Sequence, residues 1–529
     1  MSSEKDAGGH APQTPHLGRI VGTSVLELAF RCARDAEVYV GDLLIAEGDD
    51  SAPLLFRVTN IRYGLEGEPE LAARMAGRMM SMEADGGFDP AQFWDQSTRL
   101  YKIGVGVPLG YVKGGKFRKA KTLPPHFARV RRADTADYEF LRADMGDVEV
   151  GYLRSGETTV PFPVGVRGDM SFPYHIGVFA TTGMGKSNLM RVLAASVLNT
   201  GKYGLLIVDP HGEYHDGAGQ RGKLGLKHHP LAERNLRVYS TRQMRGTYAK
   251  LQISAHEIEV ADLKQLYDFS GPQAELLDAS RHRYGPSWLA DIHDRSALDL
   301  KADMPHFHEG SIAVVKRRIE RLFRSGLVHR DPKVSVTKNV VAELHAGKVV
   351  LVDSGGLSDK DELLVTSVLG RAVFDANREA FGTPEFDAIP PVLITLEEAQ
   401  RVLGKASGSN VFAQICREGR KFKTGLCAIT QQPKLVDREC ISQFNTLFIM
   451  GLADKQDRET LKDSAKQDVS ALENEIQTLM PGEVLITSPY APFAIPAQVH
   501  LFEEYVERLA KTTMAEEAAP RPRAGADFY

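Results

Sequence analysis

Ala180-Thr181-Thr182-Gly183-Met184-Gly185-Lys186-Ser187 lies between an apolar run at 175–179 and a stretch of helical spacing at 188–198. Strand, glycine-rich turn and helix in that order are the context that a phosphate-binding loop requires. Gly183 and Gly185 allow the backbone to wrap so that successive N–H groups face a β-phosphate. The N-terminus of the following helix adds partial positive charge aimed at the same anion. Lys186 brings a full charge to the β- and γ-phosphates, and Ser187 offers a hydroxyl to Mg²⁺. Thr182, Met184 and Asn188 complete the candidate nucleotide-binding set with Gly183, Gly185, Lys186 and Ser187. The first position is Ala instead of Gly, a small-residue variant. A chance turn containing a lysine would not need a strand before it and a helix behind it.

Outward from the loop, continuous apolar strands are predicted at 175–179, 204–208, 349–352, 392–396, 425–429 and 446–450, alternating with helical segments. Such runs belong to a parallel sheet covered on both faces. This α/β core is expected to span 166–500. The stretch from about 215 to 345 is too long for a plain crossover. Segments 261–269 and 311–324 in it have helical apolar spacing, which predicts an inserted helical subdomain. Ahead of the core, 17–165 reads as short strands separated by Gly/Asp turns, with a helix at 70–82 among them; this pattern predicts a small closed barrel. Residues 1–16 form a polar leader and 501–529 a C-terminal extension, whose part from Thr512 on is Ala/Glu/Pro/Arg-rich and expected to lack fixed structure.

A chain of 529 residues exceeds what one hydrophobic core organises, so several domains are expected. No apolar run approaches the roughly 18 residues of a membrane span, and no secretory signal opens the chain. The four cysteines, Cys32, Cys416, Cys427 and Cys440, include no Cys-x-x-Cys pair, which excludes the usual zinc spacing. So few in so long a chain fit a reducing, cytoplasmic setting. The net charge of −4 makes the whole molecule no magnet for nucleic acid, although a local basic channel could still bind it.

The strand at 392–396 runs into Glu397-Glu398-Ala399-Gln400. At such a strand end the first carboxylate, Glu397, would help hold Mg²⁺, and the second, Glu398, would polarise the water that attacks the γ-phosphate. A solvated Glu-Glu at a helix start is the plain alternative. The phosphate-binding loop tips the balance toward chemistry. The next strand, 425–429, runs into Thr430-Gln431-Gln432-Pro433. Gln431 is the candidate to sense the γ-phosphate or the attacking water, against a simple turn before Pro433.

The loop ATTGMGKS, the strand-end motif Asp209-Pro210-His211-Gly212-Glu213-Tyr214, and the segments LEEAQ, GRKFKTGL and TQQP together resemble the HerA family, related to the FtsK motors. The resemblance covers most of the chain. It implies a RecA-like P-loop ATPase core with an N-terminal β-barrel and a helical insertion, using ATP and Mg²⁺. It implies a homohexameric ring that translocates double-stranded DNA, and a NurA-like nuclease docked on the barrel face for DNA-end resection in recombinational repair. It also places Asp209 and Glu213 near the nucleotide edge, where both could equally cap the following turn. Arg420 matches an arginine that reaches a neighbouring subunit's site, with Arg417 as the competing candidate. Two departures stand out. The acidic pair is Glu-Glu instead of Asp-Glu, and Gln400 stands where related motors often carry histidine.

Basic candidates for DNA contact are Lys405, in the glycine-rich loop 403–410, and the helix bearing Lys316, Arg317, Arg318, Arg321 and Arg324. Such contacts would be to phosphates, without sequence preference. For the helix a solvated face is the favoured reading; for the loop both readings stay open. Two other functions share this fold: an ATPase gating an effector in an antiviral complex, and a polypeptide-translocating secretion or conjugation ATPase. Stimulation of hydrolysis by duplex DNA separates the first reading from both.

Overall fold

The computed structural model describes residues 16–48, 52–65, 71–84, 100–217, 223–405 and 410–518. Most of the predicted leader, 1–15, and the end of the tail, 519–529, lie outside the described residues.

Among the described residues, seven strands form the first sheet: β1 (Gly18–Thr23), β2 (Leu28–Cys32), β3 (Leu43–Glu47), β4 (Leu54–Leu65), β5 (Leu100–Lys113), β6 (Lys116–Lys119) and β7 (Arg129–Arg132). Their order is β2-β1-β7-β3-β4-β5-β6, and β2 also pairs with β5, so six strands close into a barrel and β6 hangs from β5 as a hairpin. Alternate residues point inward, and Phe30, Leu44, Phe56, Val58 and Val130 fill the interior. Gly104 faces the Phe30 ring so closely that a Cβ there would lie 2.3 Å from it. The helix Leu71–Ala84 falls where it was predicted.

The predicted barrel boundary at 165 is too late. β8 (Val148–Ser155) and β9 (Thr158–Val166) join the second sheet instead, through antiparallel pairing of β8 with β21 (Ile495–Val499). Their alternation is legible as strand, but their partner lies more than 300 residues away in the chain.

Among the described residues the second sheet has twelve strands. Besides β8, β9 and β21 these are β10 (Ile176–Phe179), β11 (Gly204–Asp209), β12 (Leu236–Ser240), β13 (Ala249–Lys250), β16 (Val349–Asp353), β17 (Val392–Leu396), β18 (Thr424–Thr430), β19 (Thr446–Ile449) and β20 (Glu483–Thr487). The order is β13-β12-β16-β11-β17-β18-β10-β19-β20-β21-β8-β9, parallel from β13 to β19 and antiparallel beyond. All six predicted core strands are present. The two faces explain their continuous apolar runs. Leu205 and Ile207 pack with the helix Lys186–Thr200, while Leu206 and Val208 pack with the helix Asp359–Ala380. The strand carrying the loop, its neighbour β18, then β17 and β11, make this the RecA-like arrangement.

The helical insertion is shorter than 215–345, because β12 and β13 inside that stretch are the last two strands at one end of the sheet, with β13 at its edge. The inserted helices rise from a two-stranded parallel stub, β14 (Ile253–Ser254) with β15 (Val328–His329). Ile312, Val315, Ile319 and Leu322 recur at helical spacing along Glu309–Arg324 and bury one stripe. Trp288 is fully buried among them and donates its indole N–H to the carbonyl of Ile258 at 3.2 Å.

At the chain's end the helix Phe502–Ala518 carries the part of the tail up to 518, which was expected to lack fixed structure. It forms because Phe502, Tyr505, Val506 and Leu509 make an apolar stripe against the helix Lys186–Thr200. No helix among the described residues is long and apolar enough to cross a membrane.

Barrel and α/β domain meet over a buried ionic cluster. Glu475 accepts from Arg154 at 2.7 Å, and Arg57 of β4 lies 3.8 Å from its other oxygen, all three side chains being at most 5% exposed. Arg57 also donates to the carbonyl of Ala494.

Candidate active site

Because β10, β18, β17 and β11 are parallel neighbours, their carboxyl ends open on one edge of the sheet. Ligands of open α/β sheets bind there. The loop after β10, the motif after β11, the acidic pair after β17 and Gln431 after β18 all line one cleft of about 1340 Å³, its open mouth included. Thr182, Gly183, Gly185, Lys186, Ser187 and Asn188 line it from the loop side; Asp209, Glu213, Tyr214, Glu397, Glu398 and Gln431 line it from the other.

Gly183 (φ +83°) and Gly185 (φ +97°) occupy the left-handed region that the wrapped loop needs. The loop is strapped from behind: Thr181 N–H donates to Gly451 O at 3.0 Å, and Gly482 N–H donates to Met184 O at 3.0 Å. Met184 therefore serves the loop through its backbone and does not line the cleft. Lys186 Nζ donates to the carbonyls of Ala180 (3.0 Å) and Thr181 (3.2 Å) within the loop itself. Burial lowers the Lys186 pKa from its ordinary value, and the attraction of Glu397 and Glu398 opposes that shift. Loop and carboxylates are thus within electrostatic reach of each other. Thr182 donates its hydroxyl to Gln431 Oε1, fixing the candidate sensor to the loop. Asn188 uses its side chain elsewhere: Nδ2 donates to His500 O at 2.8 Å and Oδ1 accepts from Phe502 N at 3.0 Å. Its amide clamps the C-terminal segment to the loop's helix.

Glu397 accepts from the buried Tyr214 hydroxyl at 2.8 Å. Burial raises its pKa above the usual carboxylate value, Asp209 and Glu398 push the same way, and Tyr214 and Lys186 hold it down. Glu398 has φ +49°, a left-handed backbone uncommon for a residue with a Cβ. It accepts from Gln400 Nε2 at 2.5 Å, and Gln400 Oε1 accepts from Thr430 Oγ1 at 2.6 Å.

The two readings of the Asp209 motif are compatible, since Asp209 and Glu213 both line the cleft. Asp209 is a turn cap: its carboxylate accepts from the backbone N–H groups of His211 (3.2 Å), Gly212 (2.7 Å), Glu213 (3.1 Å) and Tyr214 (2.9 Å). Burial still pushes its pKa up. Glu213 is half-buried and lines the cleft. Sequence reasoning missed Tyr214 as the partner of Glu397, although it closes the quoted motif. It also missed the pair beside it, where Arg242 forks onto buried Asp353 at 2.6 and 2.7 Å.

Arg420 and Arg417 do not line this cleft. Arg420 stacks over the Tyr174 ring at 4.3 Å, just before the amino end of β18, whereas Gln431 follows the carboxyl end. The strand's length separates them by roughly 20 Å. Arg417 is exposed and donates to Ala413 O at 3.2 Å in its own helix. Lys405 is exposed at the start of a loop whose residues 406–409 lie outside the described residues. In the basic helix, Lys316 donates to the carbonyls of Ile292, His293 and Arg295 (3.2, 2.6 and 2.7 Å), and Arg318 to that of Asp268 (2.8 Å). Those two cations hold the insertion together. Among the described residues no three His, Cys, Asp or Glu side chains are grouped to hold a metal unaided.

Residues 148–373 match the family model described as the central domain of the helicase HerA. The chain is similar to a probable helicase of Methanocaldococcus jannaschii, 25% identical over 418 residues, covering 75% of this chain and 76% of the relative. A protein of Sulfurisphaera tokodaii named as the DNA double-strand break repair helicase HerA is 24% identical over 424 residues, covering 77% and 81%. Among solved structures, VirB4 of Thermoanaerobacter pseudethanolicus aligns with a TM-score of 0.43 at 13% identity, covering 67% of this chain and 96% of that one.

Proposed function

Since this chain belongs to the HerA family, we propose that it hydrolyses ATP to drive double-stranded DNA through a ring of six copies of itself. One observation carries the reading: Lys186 of the loop and the Glu397–Glu398 doublet, more than 200 residues apart, face one cleft at the carboxyl edge of the sheet. The chain is an ATPase, and the roles follow from position.

The loop's amides and Lys186 bind the β- and γ-phosphates. The residues fit Mg²⁺ of the kind that takes only one or two protein ligands and completes its shell with phosphate oxygens and water. Ser187 and Glu397 would hold it, the latter aimed by Tyr214. When bound, Mg²⁺ supplies charge neutralisation at the β- and γ-phosphates. Glu398 orients the attacking water and takes its proton as the γ-phosphoryl group leaves ADP and becomes inorganic phosphate. Gln431, fixed by Thr182, touches the γ-phosphate or that water.

Arg420 lies too far from its own cleft to take part there. It serves the neighbouring subunit's triphosphate, which is why a ring is needed. Lys405 supplies phosphate contact in the pore, and a NurA-like nuclease docks on the barrel face for end resection. The test is the ATPase rate with and without linear duplex DNA, on material of known assembly state. Several-fold stimulation is expected of hexamers. Hydrolysis indifferent to duplex DNA at every assembly state would remove the DNA substrate, and failure to bind ATP would remove the ATPase reading altogether.

A further inference from the structure

Gln400 entered the sequence reading only as a departure from a pattern. In the structure its amide is the bridge between two strands of the site. The nitrogen donates to Glu398 Oε2 at 2.5 Å and the oxygen accepts from Thr430 Oγ1 at 2.6 Å. The Thr430 hydroxyl oxygen in turn accepts from the backbone N–H of Gln432 at 3.0 Å, which fixes it on the sensor turn. Thr430 is the last residue of β18 and Glu398 the second residue past the end of β17.

Glu398 needs such a tether. It stands beyond the last paired residue of its strand, on a left-handed backbone, and its side chain is exposed to the cleft. A carboxylate on a solvated turn samples several rotamers. A base must instead be held within hydrogen-bonding reach of one water. The amide is suited to the work because one group donates and accepts at once. Its oxygen satisfies the Thr430 hydroxyl, which leaves its N–H₂ for the carboxylate. One Glu398 oxygen is held in this way, and Oε1 remains to meet the water.

We propose that Gln400 is the positioning residue for Glu398, locking the base to the end of β18. The inference rests on the reading of Glu398 as that base. It also has a mechanical content. β18 begins beside Arg420 and ends at Thr430, so the bridge ties the base of one subunit to the strand whose far end carries the arginine for its neighbour. Glu398 is therefore indexed to β18 as well as to the strand on which it is built.

The test uses the full-length assembled protein and measures nucleotide dissociation constant, kcat and KM for ATP. Gln400→Leu keeps the bulk and deletes both bonds. It is expected to lower kcat roughly ten- to hundred-fold, the range that misplacing a catalytic group costs, with the nucleotide dissociation constant unchanged within two-fold. Gln400→His can still accept from Thr430 with one ring nitrogen and donate to Glu398 with the other; it is expected to regain most of the lost kcat. Thr430→Val, which removes only the outer anchor, is expected to slow turnover by less than Gln400→Leu does. Wild-type or faster turnover in Gln400→Leu overturns the proposal, as does equal loss in the Leu and His variants or a parallel loss of nucleotide binding. Glu398→Gln, measured alongside, keeps the two readings apart. If that variant still turns over, the base assignment itself has failed; if it is dead while Gln400→Leu is normal, only the positioning role has.

Discussion

The two edges of the central sheet are built on opposite principles. At the carboxyl edge, four loops from one chain converge and satisfy each other: Thr182 with Gln431, Tyr214 with Glu397, Gln400 with Glu398 and Thr430. At the amino edge, Arg420 lies over the Tyr174 ring and, among the described residues, forms no salt bridge with a carboxylate. The first edge is a cleft whose own side chains already hold one another in place. The second presents a guanidinium without such partners, and on the proposed reading its target is the triphosphate of a neighbouring subunit.

Breaking the self-contained edge has the largest expected effect. Lys186→Ala is expected to weaken ATP binding on the order of 100-fold, the loss of a charge-assisted contact, read by titration with a fluorescent nucleotide. Glu398→Gln is expected to keep that binding and lose on the order of 1000-fold in turnover. Equal loss of affinity in both variants would show that their roles are misassigned. Arg420→Ala is expected to cost about as much turnover while leaving the cleft's affinity intact. Mixing it with Glu398→Gln subunits sharpens the contrast, because their defects fall in different halves of a shared site and some hydrolysis should return. No recovery at any mixing ratio would place Arg420 outside the reaction.

A smaller effect is expected of Tyr214→Phe. The hydroxyl favours the charged form of Glu397, so deleting it raises a pKa that burial has already raised. The acid limb of the Mg²⁺-dependent rate should then move to higher pH, and more Mg²⁺ should be needed. An unmoved profile would mean that Tyr214 only fills space. Smallest for turnover is the effect of His175, away from the cleft before β10. It is buried, accepts from Leu426 N–H at 3.0 Å through Nδ1, and burial lowers its pKa from 6.5 to about 4. The folded state holds it neutral while the unfolded chain protonates it first. Its contribution is thus complete above pH 6.5 and is lost as pH falls toward 4, amounting to up to about 3 kcal/mol. His175→Asn, whose amide oxygen can take the same N–H at the same left-handed backbone, should flatten the melting temperature over that window.

The sequence displayed what depends on neighbours in the chain and concealed what depends on partners far along it. The loop at 180–187 is contiguous, so its chemistry was readable residue by residue. The six buried strands announced themselves as unbroken apolar runs. β12 did not, because a five-residue strand inside a long polar stretch carries little signal. β8 reads correctly as a strand, but taking 17–165 as a whole assigns it and β9 to the wrong sheet, since alternation says nothing of which sheet a strand joins. Asp209 shows the limit most plainly. The motif around it marks the site, yet whether its carboxylate faces ligand or backbone depends on a turn of four successive N–H groups that composition does not specify.

The buried cluster of Arg57, Arg154 and Glu475 has a mechanical meaning. Swivelling the barrel on its neighbour would strand a charge in a dry seam, a penalty of roughly 3–5 kcal/mol when one partner of such a pair is lost. The chain also passes from β7 through the short helix Ala136–Ala143 into β8, which is hydrogen-bonded into the large sheet. Peptide link and ionic latch together couple the barrel to the α/β domain, so a rotation of either would have to carry the other with it.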